Sequence, residues 1–322
     1  MKKTLVDIVL PVYNGSNYLK DCIQSVLNQT YNDFNLLILD DCSEDNSLEI
    51  IKSFKDDRII VYRNEKNKGL FYNLNFLIEK SNSDFIHLWS QDDIMYTDCI
   101  DTCVKYYKQY KFKMAYSAVD YIDADNNLIH NKALDNTPTI INRDLFIAIS
   151  VFYGSIAGNI ANVCISKEIF NKVGKFDERF KVSADFEYWV RIGLENDIIF
   201  IQEKLIKLRK HKGQLSRQNI SAVQFMEEDS IIFTRLYQSI NNSKNLIIAK
   251  KYASWKRYTN YLNTSIMLLL NSNYKLFIKS LRIINQNEFI VLVFVKWILI
   301  RFLRLIKQNT IIYNRLINKY HV

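Results

Sequence analysis

The sequence predicts an α/β fold in which a mostly parallel sheet is covered by helices on both faces. Short apolar, β-branched runs alternate with stretches of helical spacing through residue 90, a pattern typical of βαβ units. The 322 residues are 48% hydrophobic, with only 7 glycines and 2 prolines. This composition excludes a disordered chain and disfavours a loop-rich all-β fold.

The predicted elements follow one another closely along the chain. Strands are expected over residues 5–10, 34–39, 58–62 and 84–90, and helices over 18–28, 43–52 and 70–78. Ser43 is expected to cap the second of these helices, since serine is a favoured N-cap residue.

Polar or acidic residues stand at three predicted strand ends, namely 11–14, Asp40 with Asp41, and Asp92 with Asp93. Open α/β sheets bind ligands at the carboxyl ends of their strands. Hard divalent cations prefer oxygen ligands, so the pair after the fourth strand indicates a cation site. Taken alone, that pair would equally fit a solvated turn with a helix cap, but three strand ends together favour the ligand site.

The five cysteines include no pair with Cys-x-x-Cys spacing. Cys99 and Cys103 fit one helix face, but without a nearby histidine they are expected to make a poor zinc site. Reduced, mostly buried thiols in a cytosolic protein are the expectation. The N-terminal apolar run is broken at Asp7 and Pro11, which predicts a strand and not a signal peptide.

The net charge of +9 is unevenly distributed. Residues 1–203 carry 22 basic and 30 acidic side chains, whereas residues 204–322 carry 21 basic and 4 acidic ones. The C-terminal third is therefore expected to meet an anionic surface, either a membrane or a nucleic acid.

Five motifs follow one another in order over about residues 4–216: DIVLPVYNGSNYLKDCIQSVLNQTYNDFNLLILDDCSEDNS, NKGLFYNLN, WSQDDI, VGKFDERFKVSADFEYWVRI and RKHKGQLS. Together they resemble the inverting GT-A glycosyltransferases of family 2. The first is similar to the family's start and the second to its next element, and WSQDDI lies where the family has its metal-binding DxD motif. The fourth resembles the stretch with the catalytic base, and the last resembles the loop that closes the site. The resemblance implies a hexosyl- or deoxyhexosyltransferase with a UDP- or dTDP-sugar donor.

The resemblance also implies a Mn²⁺ or Mg²⁺ site. Asp93 would be the direct metal ligand, with Asp92 on the metal or the ribose, and His211 would reach the metal or the diphosphate. Arg209 would contact phosphate. Ser90 stands where the family often has a further aspartate, which implies weaker metal binding.

Nucleotide recognition is assigned by the same resemblance to the early strand ends. Pro11 and Tyr13 would line the nucleobase pocket, Asp41 would accept a hydrogen bond from uracil or thymine, and Asn75 would help to bind the nucleotide sugar. For Tyr13 the alternative is ordinary packing, and for Asp41 it is capping of the next helix.

The resemblance assigns the catalytic base to Asp185, since an inverting enzyme needs one carboxylate to take the acceptor's proton. The family usually has Glu-Asp here, whereas this sequence has Ala184 and Asp185. The apolar pattern that follows predicts a buried helix starting at the aspartate, so an N-cap is the alternative role.

Residues 219–322 are predicted to be a basic helical region beyond a catalytic domain over 1–218. Periodicity indicates helices over 220–240 and 246–270, and the segment 289–322 contains no Asp or Glu. On a helical wheel, one side of that segment is basic and the other apolar: Lys296, Arg301, Arg304, Lys307, Arg315 and Lys319 against Phe302, Leu303, Leu305, Ile306, Leu316 and Ile317. This pattern is typical of a helix lying in a membrane interface. The charges recur too often for a span, and packing on the catalytic domain or a partner subunit is the alternative.

The tail and the resemblance together predict a peripheral enzyme at the cytoplasmic face of a bacterial inner membrane. We expect its acceptor to be a glycan, such as an O-antigen or capsule unit, that is linked to a lipid. Two other function classes stay open: a nucleotide-sugar-binding protein without turnover, and a basic nucleic-acid binder. The latter lacks a recognised motif, so no nucleic-acid partner is expected.

Overall fold

Four parallel strands form one half of the sheet in the computed structural model, which describes residues 4–129, 137–211, 219–240 and 244–303. Their order is β3-β2-β1-β4. The strands are β1 (Val6–Val12), β2 (Phe34–Asp40), β3 (Ile59–Arg63) and β4 (Phe85–Leu88), joined through α1 (Leu19–Leu27), α2 (Ser47–Ser53) and α3 (Leu70–Lys80). The predicted βαβ alternation is therefore confirmed.

The other half of the sheet is mixed. It contains β5 (Ile94–Met95), β6 (Met114–Ile122), β7 (Leu128–Ile129), β8 (Ile140–Ile141), β9 (Val163–Ser166) and β10 (Ile198–Arg209), with helices α4 (Cys99–Tyr110) and α6 (Lys167–Val173). Strand β9 lies between β4 and β6 and runs antiparallel to both, whereas β10 is parallel to β6. The first half of the sheet is thus entirely parallel, and the second half combines parallel and antiparallel pairs.

A buried polar network fixes the starts of the first strands. Asp7 on β1 lies opposite Asn35 on β2 and accepts a hydrogen bond from its amide at 2.8 Å. The hydroxyls of Thr4 and Ser81 donate to the same carboxylate at 2.6 and 2.7 Å. The carboxylate is fully buried, and these three donors replace its lost water.

Ser43 does not cap a helix, so that prediction is wrong. Helix α2 begins four residues later, at Ser47, and the Ser43 hydroxyl instead accepts the backbone N–H of Asn14 at 3.1 Å. Asp45 likewise accepts the N–H of Ser16 at 3.0 Å. The loop after β2 is therefore tied to the loop after β1.

All described elements of the second compact unit are helices: α5 (Arg143–Tyr153), α7 (Ala184–Gly193), α8 (Asn219–Gln238), α9 (Lys244–Leu270), α10 (Tyr274–Asn287) and α11 (Ile290–Leu303). Gly193 of α7 permits close packing on α5, because a Cβ there would lie 2.7 Å from the Phe146 ring. The unit takes in residues 143–156 and 179–194 as well as the C-terminal region. Helices α5 and α7 thus join helices that lie beyond the predicted domain boundary at residue 218.

Helix α11 differs from the predicted basic amphipathic helix. Lys296 is buried, forms an ion pair with Glu288 and lies over the Trp255 ring, so its predicted place on an exposed basic face is wrong. The exposed large side chains are apolar: Phe289, Val291, Leu292, Phe294, Val295, Ile298 and Leu299. Residues 304–322 of the predicted helix lie outside the described residues. Within the described ranges, no helix combines the length and apolar character that crossing a bilayer requires.

Candidate active site

Tyr13 and Gln91 join the loops that follow two neighbouring parallel strands, β1 and β4. The backbone N–H of Tyr13 donates to Gln91 Oε1 at 2.9 Å, and Gln91 Nε2 donates to the Tyr13 carbonyl at 3.0 Å. Gly15 makes this approach possible, because a Cβ there would lie 2.6 Å from the Gln91 side chain. Tyr13 itself is 42% exposed, so a ligand can reach its side chain.

Asp92 and His211 meet at the same edge of the sheet. Strand β5 pairs with β10, with Met95 opposite Ile206. This pairing brings the end of β10 beside the loop after β4. His211 Nε2 lies 3.3 Å from Asp92 Oδ2, and its ring packs against Tyr18 with centroids 5.0 Å apart. Both side chains are partly exposed, so a ligand can reach the carboxylate of Asp92 and the imidazole of His211.

Asp93 lies deeper than Asp92. It is only 3% exposed, and its Oδ1 accepts the backbone N–H of Arg209 at 2.8 Å. Burial raises its pKa to about 7, and the negative charge of Asp92 adds to the rise, while hydrogen bonds from Arg209 and Ser90 oppose it. Asp93 therefore supports the end of β10 in this structure.

Arg209 is buried among backbone carbonyls, and its predicted contact with phosphate stays a prediction. Its side chain is 1% exposed and packs over the Tyr18 ring at 4.4 Å. Its Nε donates to the Asp92 carbonyl at 2.8 Å, and its Nη1 donates to the carbonyls of Asp123 and Ala124 at 3.1 and 3.2 Å. A guanidinium buried among carbonyls in this way positions the loop that carries Asp92.

Asp41 holds the loop before α3. Its Oδ1 accepts hydrogen bonds from Asn64 Nδ2 at 2.6 Å and from the Lys68 backbone at 2.9 Å, and its Oδ2 accepts the Gly69 N–H at 2.9 Å. A carboxylate has about four acceptor sites, so one is left over on Oδ2. Its predicted bond to a nucleobase stays a prediction.

Asn75 bridges two parts of the first unit. It is 3% exposed, and its Nδ2 donates to the Phe176 carbonyl at 3.0 Å and to Glu178 at 3.1 Å. Its Oδ1 accepts the Phe176 N–H at 2.8 Å. Its predicted role in nucleotide binding stays a prediction. Pro11 is likewise buried within β1, opposite Leu39.

Asp185 lies in the first turn of α7, in the second unit, and is not its N-cap. The N-cap position is Ser183, which makes no side-chain capping bond. Glu228 of α8 takes that role, since its carboxylate accepts the backbone N–H groups of Lys181, Val182 and Ser183 at 2.6, 3.1 and 2.7 Å. The N-terminus of α7 is thereby fixed by a charged side chain from another helix.

The pKa of Asp185 is raised to about 6. Loss of water around its carboxylate is the main cause, and the charge of Glu228 adds to it. The N–H of Phe186, which donates to Oδ1 at 2.8 Å, opposes the rise. A carboxylate with this pKa is ionised at neutral pH and accepts a proton more readily than an ordinary aspartate.

The structure thus brings Tyr13, Asp92, Asp93 and His211 to one edge of the first unit. Sequence reasoning missed Gln91 and Tyr18 as partners of these residues, and Glu228 as the residue that holds the segment before Asp185 in the second unit. Gln91 adjoins the two carboxylates in the chain, which is a local signal. Tyr18 and Glu228 carried no signal, because both act through contacts distant in sequence.

Comparisons with known proteins identify the family of this chain. The family model described as glycosyl transferase family 2 matches residues 7–166. This chain belongs to glycosyl transferase family 2. As a member of that family it is a glycosyltransferase, and glycosyl transfer from a nucleotide sugar is the reaction that its family and fold support.

Two relatives and one solved structure illustrate how this family 2 enzyme compares. An uncharacterised glycosyltransferase of Rickettsia typhi is 26% identical over 76% of this chain and 75% of the relative. Glycosyltransferase GlyG of Streptococcus pneumoniae is 28% identical over 66% of this chain and 73% of its own length. S. aureus TarS 1-349 in complex with UDP-GlcNAc gives a TM-score of 0.63 at 14% identity, over 79% of this chain and 72% of that one. The last similarity shows that this chain has the GT-A fold.

Proposed function

We propose that this glycosyltransferase moves a sugar, with inversion, from a UDP- or dTDP-sugar to a hydroxyl of a lipid-linked glycan in bacterial surface polysaccharide synthesis. The observation that carries the proposal is that the Asp92 and His211 pair and the exposed Tyr13 lie in loops joined to each other at the strand ends. A diphosphate with its cation and a nucleobase need this combination of donors and an aromatic surface.

A uridine nucleotide is the first donor to test. TarS, which shares the fold, was solved with UDP and with UDP-GlcNAc. In this chain, the exposed Tyr13 ring offers a face on which a pyrimidine can stack, while Gln91 holds its backbone. Asp41, with one acceptor site to spare, is the proposed partner of the ring N–H.

The residues present fit a Mn²⁺ or Mg²⁺ ion, because a carboxylate oxygen, an imidazole and diphosphate oxygens are donors that these ions accept. The ion would supply positive charge for the leaving diphosphate. Asp92 and His211 are the proposed ligands. Asp93, buried and bonded to Arg209, is proposed to position them instead of binding the metal directly, which reverses the ranking drawn from the sequence.

Asp185 is the proposed base. Its carboxylate takes the proton of the acceptor hydroxyl as that oxygen attacks the anomeric carbon, and the bond to the diphosphate breaks on the opposite face. One such displacement inverts the configuration. The rigid first turn of α7, held by Glu228, gives the base a fixed orientation.

The exposed apolar side chains of α11, from Val291 to Leu299, support a peripheral position on a membrane. Residues 289–322 contain no acidic side chain, which suits the anionic cytoplasmic leaflet. We expect the protein to sediment with vesicles containing phosphatidylglycerol, and Leu292→Glu with Val295→Glu to abolish this. Equal binding of the double variant and the wild type would contradict the proposed surface.

A donor screen tests the enzymatic proposal. Purified protein is incubated with UDP- and dTDP-sugars in Mn²⁺ or EDTA, and release of the nucleoside diphosphate is measured. We expect release from one donor, lost with EDTA and in Asp185→Asn, but retained in the exposed control Asp21→Asn. Donor binding without any release, even with lipid-linked acceptors, would instead mean a binding protein. Release that EDTA does not affect would overturn the metal proposal.

A further inference from the structure

Four buried side chains with nitrogen and sulfur donors meet in the first unit, away from the strand ends described above. They are His87 on β4, Cys99 and Cys103 on α4, and Cys164 on β9. Each is at most 1% exposed. His87 Nδ1 lies 3.1 Å from Cys164 Sγ and 3.9 Å from Cys103 Sγ. The ligand atoms of His87, Cys99 and Cys103 all lie within 4.8 Å of one another.

Three separate elements build this cluster. His87 and Cys164 are paired residues in the antiparallel ladder between β4 and β9, so their side chains share one face of the sheet. Cys99 and Cys103 are four residues apart on α4, which places both on the helix face turned to the sheet. The expectation of no histidine near these two cysteines is therefore wrong: His87 is distant in sequence and adjacent in space.

The second nitrogen of His87 fixes the direction of its lone pair. Nε2 lies 3.0 Å from the Ala161 carbonyl, and because a carbonyl only accepts, Nε2 must carry the hydrogen. Nδ1 then turns its lone pair towards the sulfurs. A backbone carbonyl that orients a histidine in this way is the usual outer partner of a metal-binding imidazole.

We propose that His87, Cys99, Cys103 and Cys164 form a structural zinc site. Three sulfurs and one imidazole are a common zinc ligand set. Zn–S bonds of about 2.3 Å and a Zn–N bond of about 2.0 Å imply ligand atoms roughly 3.5 to 3.8 Å apart. The ligand atoms of His87, Cys99 and Cys103 would close from within 4.8 Å to that geometry. Cys164 lies beside His87 Nδ1 but outside that group of three, so its sulfur must move towards the other ligands as the ion binds.

Such an ion would attach α4 to the centre of the sheet. With four protein ligands and almost no exposure it has no open position for substrate, so its role is structural. It is separate from the proposed donor-site ion, which prefers oxygen ligands and exchanges with solvent. Binding would couple to folding, because these ligands come together only in the folded chain.

Metal analysis of the full chain tests the site. The protein is purified with a thiol reductant, dialysed against EDTA to strip exposed sites, and measured by mass spectrometry for zinc. We expect about one zinc per chain, released when a mercurial blocks the thiols. Cys103→Ser and His87→Ala should lose it, whereas the control substitutions Cys22→Ser and Cys42→Ser, which change thiols outside the cluster, should keep it.

A second measurement keeps the test decisive where a variant fails to fold. Wild-type protein expressed with cobalt in place of zinc should show thiolate-to-cobalt charge-transfer bands and the strong visible bands of a tetrahedral site. Folded wild-type protein with less than about 0.1 zinc per chain and no cobalt bands after growth in supplemented medium would overturn the proposal. Neither outcome depends on donor turnover, so the proposed function is judged separately.

Discussion

Replacing the proposed base Asp185 by asparagine should stabilise the protein while removing its activity. The environment raises the pKa of Asp185 from 3.8 to about 6. At about 1.4 kcal/mol per pKa unit, the ionised carboxylate costs the folded state about 3 kcal/mol above pH 6. Asparagine avoids this cost but leaves its own amide to be satisfied, so we expect a net gain of about 1 to 2 kcal/mol.

The gain should depend on pH with a definite sign. The folded pKa lies above the unfolded one, so the cost is fully present above about pH 6 and disappears as the pH falls towards about 4. Thermal unfolding of wild type and Asp185→Asn at about pH 7.5 and about pH 4 measures the difference, and a few degrees of Tm are expected at the higher pH. The exposed Asp21→Asn serves as control. A variant no more stable than wild type at pH 7.5, or a gain that is equal at both pH values, would refute the reasoning.

Three further predictions concern the site. Activity should fall as the pH drops below about 7, because the raised pKa values of Asp93 and Asp185 lead to protonation of both carboxylates; a profile flat to pH 5 would contradict this. Glu228→Gln should lower kcat about 10- to 100-fold with little change in donor KM, because it loosens the turn that carries the base. Steady-state kinetics measure kcat and KM separately, and an unchanged kcat would contradict this prediction. Tyr13→Ala should raise the donor KM about 10-fold, because it removes a stacking surface. Asn75→Ala should instead lower the stability measured by thermal unfolding by about 1 to 3 kcal/mol and leave the donor KM unchanged. A raised donor KM in Asn75→Ala with unchanged stability would support a place for Asn75 in the donor site.

The parallel half of the fold was predictable because each of its strands is a short apolar run followed by a helical one. The mixed half was less so. Strand β9 is only four residues long and fully buried, and nothing in its sequence indicates that it enters the sheet antiparallel between β4 and β6. Strand order depends on contacts between distant parts of the chain, which periodicity does not report.

The candidate site was likewise predictable from the sequence only in part. Position at a strand end singled out Asp92, and the family resemblance singled out Tyr13 and His211. The structure brings all three to one edge of the first unit, and their roles stay predictions. The side chains of Arg209 and Asn75 turn inward to backbone groups, which the sequence did not show, because a sequence pattern does not distinguish an inward from an outward side chain. Lys296 was misplaced for the same reason, since its partner Glu288 neutralises it within the helical unit.

The buried network around Asp7 gives the catalytic edge its alignment. Every residue of β1 and β2 is buried, as is usual for central parallel strands, whose sequences are nearly continuous apolar runs. Such a run does not by itself distinguish one register from another. The pairing of Asp7 with Asn35 penalises slippage of one strand past the other, because any shift leaves a charge without its donors. Asp7→Leu should therefore give a chain that still collapses but samples more than one alignment. Polar groups at the start of these strands, some six residues from the far ends, therefore determine how accurately those ends are aligned.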